Sequence, residues 1–290
     1  MGGEREIIMN LLWAAAVVAG AYLYEIKPSS RRGWADSYRR VLFAHRGLYD
    51  NSAGIPENSK KAFQRAKDHG YGIELDVQLS KDGVPVIFHD SFLARMTNDQ
   101  NGNPVSGKPE DYTLEQLQSF HLLDTEERIP TFQEVLDLVD GGVPLIVELK
   151  LDPGMKAEPL CKKADELLQK YTGSYIVESF SPQAVRWYRK HRPEIIRGQL
   201  SEAYTKQRKY RRPAYFCAEH LMYNWLTKPD FIAYDCKYRN NLSRRLTRKL
   251  YRCPNVAWTV QSPQEMDAVR PDYDLFIFEG FLPEKDETNN

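Results

Sequence analysis

Short apolar runs alternate with longer, helix-spaced stretches along most of this chain. The runs are VLFAH (41–45), YGIELDV (71–77), VPVIFHD (84–90), PLIVELK (144–150), SYIVESF (174–180), EIIRGQL (194–200), DFIAYD (230–235), NVAWTV (255–260) and DLFIFEG (274–280). Between them, residues 58–70 carry Asn58 as a cap and Gly70 as a stop, and stretches such as the one closing at Gly141 behave alike. Strands alternating with helices predict a parallel sheet with right-handed crossovers. Nine runs are one too many for an eight-stranded barrel. Asp82-Gly83 accounts for the extra one, because it is a two-residue hairpin signal that folds the third run back antiparallel to the second. With the turn centred between 82 and 83, Leu75 is expected near Asp90, and His89 beside Glu74 and Asp76. The pattern reads as an α/β protein, a (β/α)8 TIM barrel over residues 41–282, with a polar tail at 283–290.

The chain opens differently. Ile7 to Tyr24 is eighteen residues without a charge, nearly enough helix to cross a hydrocarbon core of roughly 30 Å. Trp13, Tyr22 and Tyr24 suit a membrane interface. Ala19-Gly20-Ala21 would serve a signal-peptide cleavage site, but Glu4-Arg5-Glu6 is net acidic where a signal peptide is basic. Residues 1–26 are therefore read as an uncleaved, single-pass anchor, and residues 27–40 as a basic juxtamembrane linker. Lys27, Arg31, Arg32, Arg39 and Arg40, opposed by Asp36, orient the barrel toward the cytoplasm.

Composition narrows the class further. With 42% hydrophobic and 28% charged residues, and 17 each of Gly and Pro, the chain is neither collagen-like nor disordered. Lys+Arg and Asp+Glu are both 40, which argues against a nucleic-acid binder. The zero hides a basic block: 204–253 holds thirteen Lys/Arg against three Asp/Glu, a local net of +10. That block is a solvated face or a second contact with anionic lipid. Cys161, Cys217, Cys236 and Cys253 are scattered and form no metal or disulfide framework, as expected of a reducing compartment.

The candidate chemistry lies at strand ends. Glu74 and Asp76 are two apart on a strand, so they share a face. Two carboxylates in apolar sequence are costly unless neutralised, and a hard divalent cation, Mg²⁺ or Ca²⁺, is the simplest neutraliser. Glu148 and Lys150 repeat the two-residue spacing, and His45, Arg46 and His89 sit at the ends of neighbouring runs. Each taken alone has a structural explanation, as a core histidine or an ion pair. Together they exceed what apolar strands hold without a shared ligand.

The ordered set His45-Arg46-Gly47, Pro56-Glu57-Asn58, Glu74-Leu75-Asp76-Val77, Lys81-Asp82-Gly83, His89-Asp90, Arg95-x-Thr97 and Glu148-x-Lys150 resembles the glycerophosphodiester phosphodiesterase family, with Ser179-Phe180-Ser181 and Trp258-Thr259-Val260 agreeing. The resemblance implies a TIM barrel that hydrolyses glycerophosphodiesters to glycerol phosphate and an alcohol with one divalent metal ion. It implies His45 and His89 as the acid/base pair and Glu74, Asp76 and Glu148 as metal ligands. Arg46, Lys150 and Trp258 would contact the substrate. Departures fall at Glu279-Gly280, where the family often has Thr-Asp, at Gln261 for Asn and at Ser59 for Thr, all expected at the rim or one layer behind the residues that meet the substrate. The alternatives are a lysophospholipase D acting on membrane lipid and a catalytically silent barrel that binds lipid headgroups.

Overall fold

The computed structural model of the protein describes residues 2–206 and 212–284. In chain order its elements are α1 (Gly2–Glu25), β1 (Leu42–Ala44), α2 (Lys60–Asp68), β2 (Gly72–Leu79), β3 (Pro85–Ile87), β4 (Thr97–Asn98), α3 (Leu114–Ser119), β5 (His121–Leu122), α4 (Phe132–Val139), β6 (Leu145–Leu149) and α5 (Ala157–Leu168). Then follow β7 (Tyr175–Ser179), α6 (Pro182–His191), β8 (Arg197–Ser201), α7 (Pro213–Glu219), α8 (Asn224–Thr227), β9 (Phe231–Asp235), α9 (Leu242–Tyr251), β10 (Asn255–Val260), α10 (Pro263–Val269) and β11 (Leu275–Phe278).

Eight of these strands run parallel in the order β1-β2-β6-β7-β8-β9-β10-β11, and β1 pairs with both β2 and β11, which closes the barrel. Strand alternation divides the side chains. On β2, Ile73, Leu75 and Val77 pack outward with the helix-facing core that includes Phe63, Val135 and Val139, while Glu74 and Asp76 take the opposite face. The lower interior is apolar, filled by Phe43, Ile146, Ile176, Leu200, Phe231 and Ile277.

The extra run is β3, antiparallel to β2 as expected, but one residue out of the expected register. Val77 pairs with Ile87 and Leu79 with Pro85, so the turn centres on Asp82. Ser80 N donates to Val84 O at 3.0 Å, and Ser80 Oγ donates to Asp82 Oδ1 at 2.6 Å. Gly83 takes the left-handed conformation (φ 78°), so the loop holds three residues rather than two. Asp76 O accordingly faces Phe88 N at 3.0 Å, and His89 lies beyond the end of β3. Between β3 and α4 a small second core forms around Val86, Phe88, Leu93, Met96 and Leu117.

Residues 27–40 do more than connect. They lie across the N-terminal end of the barrel, where Trp34 meets Phe231 at 5.4 Å between ring centroids and Tyr38 donates to or accepts from Ser174 Oγ at 2.6 Å. Ser29 Oγ donates to Asp230 Oδ1 at 2.6 Å, and Arg31 and Arg32 reach the carbonyls of Pro193 and Tyr251. Only the end of α1 touches the body. Ile26 is fully buried, its carbonyl accepts from Asn224 Nδ2 at 2.9 Å, and Tyr251 OH donates to Leu23 O at 2.8 Å. The helix from Glu4 to Glu25 holds an eighteen-residue window with a mean hydropathy of 1.8 and is long and apolar enough to cross a membrane. Of the basic block, Arg208, Lys209 and Arg211 lie outside the described residues, as do residues 285–290 of the polar tail.

Candidate active site

The polar face of the barrel opens at the C-terminal ends of the strands. Register puts Asp76 on β2 beside Glu148 on β6, and Glu148 beside Glu178 on β7, making one row of three carboxylates. Glu74 stands one inward position lower on β2. The ligand atoms of Glu74, Asp76 and Glu148 lie within 4.8 Å of one another, and all three side chains are buried. Burial and the charges of Asp76, Glu148 and Glu178 push the Glu74 carboxyl well above the usual range. Glu148 rises to about 7, mainly through burial, with Lys150 opposing and Asp76 adding to the rise. Asp76 goes the other way: burial would raise it, but Lys150, His89 and Arg46 outweigh that and keep it ionised. Glu148 Oε1 has no hydrogen-bond partner. An all-oxygen set of convergent, mutually repelling carboxylates with an unpartnered oxygen fits a hard divalent cation.

Cations ring this cluster. Lys150 Nζ lies 2.8 Å from Glu148 Oε2 and 3.2 Å from Asp76 Oδ1. Arg46 follows His45 in a left-handed backbone conformation (φ 55°), which turns its amide onto Glu74 Oε2 at 3.0 Å. Its guanidinium donates to Glu57 Oε1 at 2.7 Å. Asn58, also left-handed (φ 57°), donates from Nδ2 to Asp76 Oδ2 at 2.8 Å.

Both histidines are held through Nδ1 by a carboxylate. His89 donates to Asp90 Oδ1 at 2.7 Å, and Arg95 grips the same carboxylate and Glu57. His45 donates to Glu279 Oε2 at 2.5 Å, while its Nε2 stands 3.9 Å from Glu74 Oε2. The carboxylate partners fix Nδ1 as the protonated nitrogen in the neutral ring. Burial and the neighbouring cations, Arg46 for His45 and Lys150 for His89, keep both imidazoles below their usual range despite the carboxylates.

All eight residues singled out from the sequence therefore belong to one neighbourhood, and seven of them, with Asp76 directly beneath, line a cavity of about 430 Å³. Trp258 closes one wall, edge to face with Phe180 at 5.4 Å. Four further residues belong to the site. Glu178, buried with Oε2 unpartnered, is pushed well above the usual range by burial and Glu148. Glu279 accepts from His45, from Tyr49 OH at 3.0 Å and from Gln261 Nε2 at 2.7 Å. Burial alone would raise Glu279; the hydrogen bond and charge of His45, with Gln261 and Tyr49, bring it down to about 2. Glu57 and Arg95 complete the ring. Gln261 and Glu279, singled out above as departures from the pattern the resemblance implies, are thus bonded to each other, and Glu279 also to His45.

Residues 45–271 match the glycerophosphoryl diester phosphodiesterase family. Among curated proteins, a glycerophosphodiester phosphodiesterase of Caldanaerobacter subterraneus subsp. tengcongensis is 34% identical over 56% of this chain and 67% of its own length. Glycerophosphodiester phosphodiesterase 1 of Bos taurus is 27% identical over 91% of this chain and 82% of its own length. The chain spans 63% of the matched relatives from Bacillus altitudinis and Bacillus subtilis. Among solved structures, an Oleispira antarctica phosphodiesterase in complex with the product sn-glycerol-3-phosphate superposes with a TM-score of 0.66 at 23% identity, over 84% of this chain and 94% of that one. A Thermotoga maritima glycerophosphodiester phosphodiesterase gives 0.59 at 25% identity, over 82% and 94%. Both carry the barrel fold seen here.

Proposed function

The chain belongs to the glycerophosphoryl diester phosphodiesterase family, and on that premise we propose that it hydrolyses glycerophosphodiesters to glycerol phosphate and an alcohol. The observation that supports this most strongly is the pair of imidazoles, each tied by Nδ1 to a carboxylate, opening on a pocket lined by Glu74 and Glu148, with Asp76 beneath, and by Arg46 and Lys150. With Nδ1 donating, Nε2 of a neutral imidazole accepts the nucleophile's proton, and the carboxylate behind it steadies the imidazolium that forms. The other ring, entering the step as an imidazolium, gives its Nε2 proton to the departing alkoxide. Arg46 and Lys150 offset charge that builds on the phosphoryl oxygens. A divalent cation held by Glu74, Asp76 and Glu148 supplies Lewis-acid polarisation of a phosphoryl oxygen when bound. Trp258 and Phe180 wall the apolar side of the substrate.

The test is hydrolysis of glycerophosphocholine with and without EDTA. Activity should vanish in chelator and return with Mg²⁺ or Ca²⁺; full activity in excess chelator overturns the assignment. A lysophospholipid substrate is the second reading, favoured by one observation. An aromatic series runs from the pocket outward: Trp258 to Phe180 at 5.4 Å, Phe180 to Tyr204 at 6.4 Å and Tyr204 to Tyr215 at 5.5 Å. Comparing glycerophosphocholine with lysophosphatidylcholine separates the two. We also read α1 as a single membrane span, with residues 41–282 as a cytoplasmic catalytic barrel; the apolar, exposed helix and the basic residues after it support this.

A further inference from the structure

Helix α9 is built inside out. The side chains it turns toward the barrel are polar: Ser243, Arg244 and Thr247 are at most 1% exposed. Arg244 is held there by the carbonyls of Arg239 and Asp272, by Asn255 Oδ1 at 3.0 Å and by the Tyr273 ring at 4.6 Å. The leucines run along the edge of that face and stay open to solvent. Leu242 is 58% and Leu250 56% exposed, and Leu246 between them is half-buried. Four-residue spacing lines these three into one stripe, and the exposed Arg245 and Lys249 stand beside it. A surface helix of a soluble domain has the reverse arrangement. Leucines flanked by Arg and Lys suit a helix lying in a membrane interface, with the apolar side in the acyl boundary and the cations among anionic headgroups.

Contacts on the inward side of α9 join it to the base of α1. Tyr22 OH is 2.6 Å from Ser243 Oγ, and Ser243 Oγ is 3.4 Å from His220 Nδ1. The His220 ring lies 4.4 Å from Phe216, itself 51% exposed. On the other flank, the Tyr24 ring is 6.4 Å from Trp225, which is 42% exposed. Exposed apolar side chains therefore stand on each of the three helices, α7, α8 and α9, that these contacts tie to the base of α1 directly or through Ser243.

We propose that the outward face of α9, with Phe216 and Trp225, is a second membrane contact that lays the barrel against an anionic leaflet beside α1. The proposal rests on α1 being a membrane span for the position of that leaflet. The fixed contact turns a tethered barrel into an oriented one.

The experiment uses the full chain in nanodiscs containing ~30% phosphatidylserine. An environment-sensitive fluorophore goes on Leu246→Cys in a Cys217→Ser background, the other three cysteines being buried. Lys163→Cys on α5, across the barrel, is the reference site. Doxyl-labelled lipid should quench the Leu246 probe roughly two-fold and leave the reference site unchanged. Adding Arg245→Glu and Lys249→Glu should lower the quenching while hydrolysis of soluble glycerophosphocholine stays the same. Equal, negligible quenching at both sites overturns the proposal. A probe shielded from lipid but exposed when the protein is diluted over empty nanodiscs overturns it in favour of a second copy of the chain. Alkaline carbonate extraction reports on α1 separately: retention without quenching defeats only the α9 contact, and release with quenching defeats only the span.

Discussion

At the N-terminal end of the barrel, Asp230 accepts from Ser29 Oγ at 2.6 Å and Arg197 N at 3.2 Å, with the Arg31 and Arg197 guanidinium groups each 3.5 Å away. Trp34 and Tyr38 close the apolar interior next to it. At the C-terminal end, Glu74, Asp76, Glu148 and Glu178 crowd one another, and oxygens of Glu148 and Glu178 lack partners. The same side-chain types are matched at one end and set in mutual repulsion at the other. Crowded like charge in a buried place contributes nothing to folding by itself. Among the described residues this crowding lies at the C-terminal end, which sets the candidate chemistry apart from the stabilising contacts along the barrel axis.

Substitutions at the two ends should therefore have opposite signatures. Glu74→Gln is expected to abolish turnover, yet the variant in EDTA at pH 7 should melt no lower than the wild type, because a repelled carboxylate has been neutralised. Retained turnover on glycerophosphocholine would remove the cluster from the chemistry. Trp34→Ala should do the reverse, costing about 2 kcal/mol of stability through the loss of its partly buried ring and leaving kcat unchanged below the melting range. A fall in kcat without a fall in Tm would mean that the two ends communicate.

Glu279→Gln tests the boundary between the two regimes. It keeps the shape at His45 and removes the charge, with an expected loss of ~10–100-fold in kcat/KM. Glu279 raises the affinity of His45 for its proton, so without the charge the limb of the pH–rate profile that belongs to His45 should move to lower pH. If that is the acidic limb, His45 is the base; if the basic limb, the acid. An unmoved profile would make Glu279 a packing residue only.

The smallest effect is in the pH dependence of stability without metal. Glu148 lies at about 7 in the folded protein against an ordinary 4.5, so the native state binds the extra proton between those values. Its contribution is complete below pH 4.5 and is lost as pH rises through about 7. Melting in EDTA should fall between pH 5 and pH 8 by a shift that Glu148→Gln flattens, and added Mg²⁺ or Ca²⁺ should stabilise more at the higher pH.

The alternation of apolar runs and the Asp82-Gly83 turn made the barrel and its returning strand legible in the sequence. The two-residue spacing of Glu74 and Asp76 made the carboxylate cluster legible too. The register of β3 was not legible, because Ser80 hydrogen-bonds across the loop and enlarges it by one residue, a choice no dipeptide reveals. Glu178 escaped notice because a lone carboxylate in SYIVESF has no local partner; only the pairing of β6 with β7 sets it beside Glu148. Glu279 looked peripheral for the same reason: barrel closure, not sequence proximity, carries it to His45. The basic block misled in part, since Arg244 and Arg248 turn inward, Arg248 onto Asp274 at 2.6 Å.

The seat of the first forty residues has a consequence in time. Tyr22 reaches a partner 221 positions downstream, Ser29 one 201 positions downstream, and β1 must wait for β11. A ribosome adding ~5–20 residues per second delivers those partners on the order of ten seconds or more after the opening segment emerges. During that interval Trp34, Tyr38 and Phe43 have no barrel to enter. Residues 22–43 are thus made well before the segments they pack on, and until those arrive the growing polypeptide carries an uncovered aromatic stretch next to the apolar helix α1.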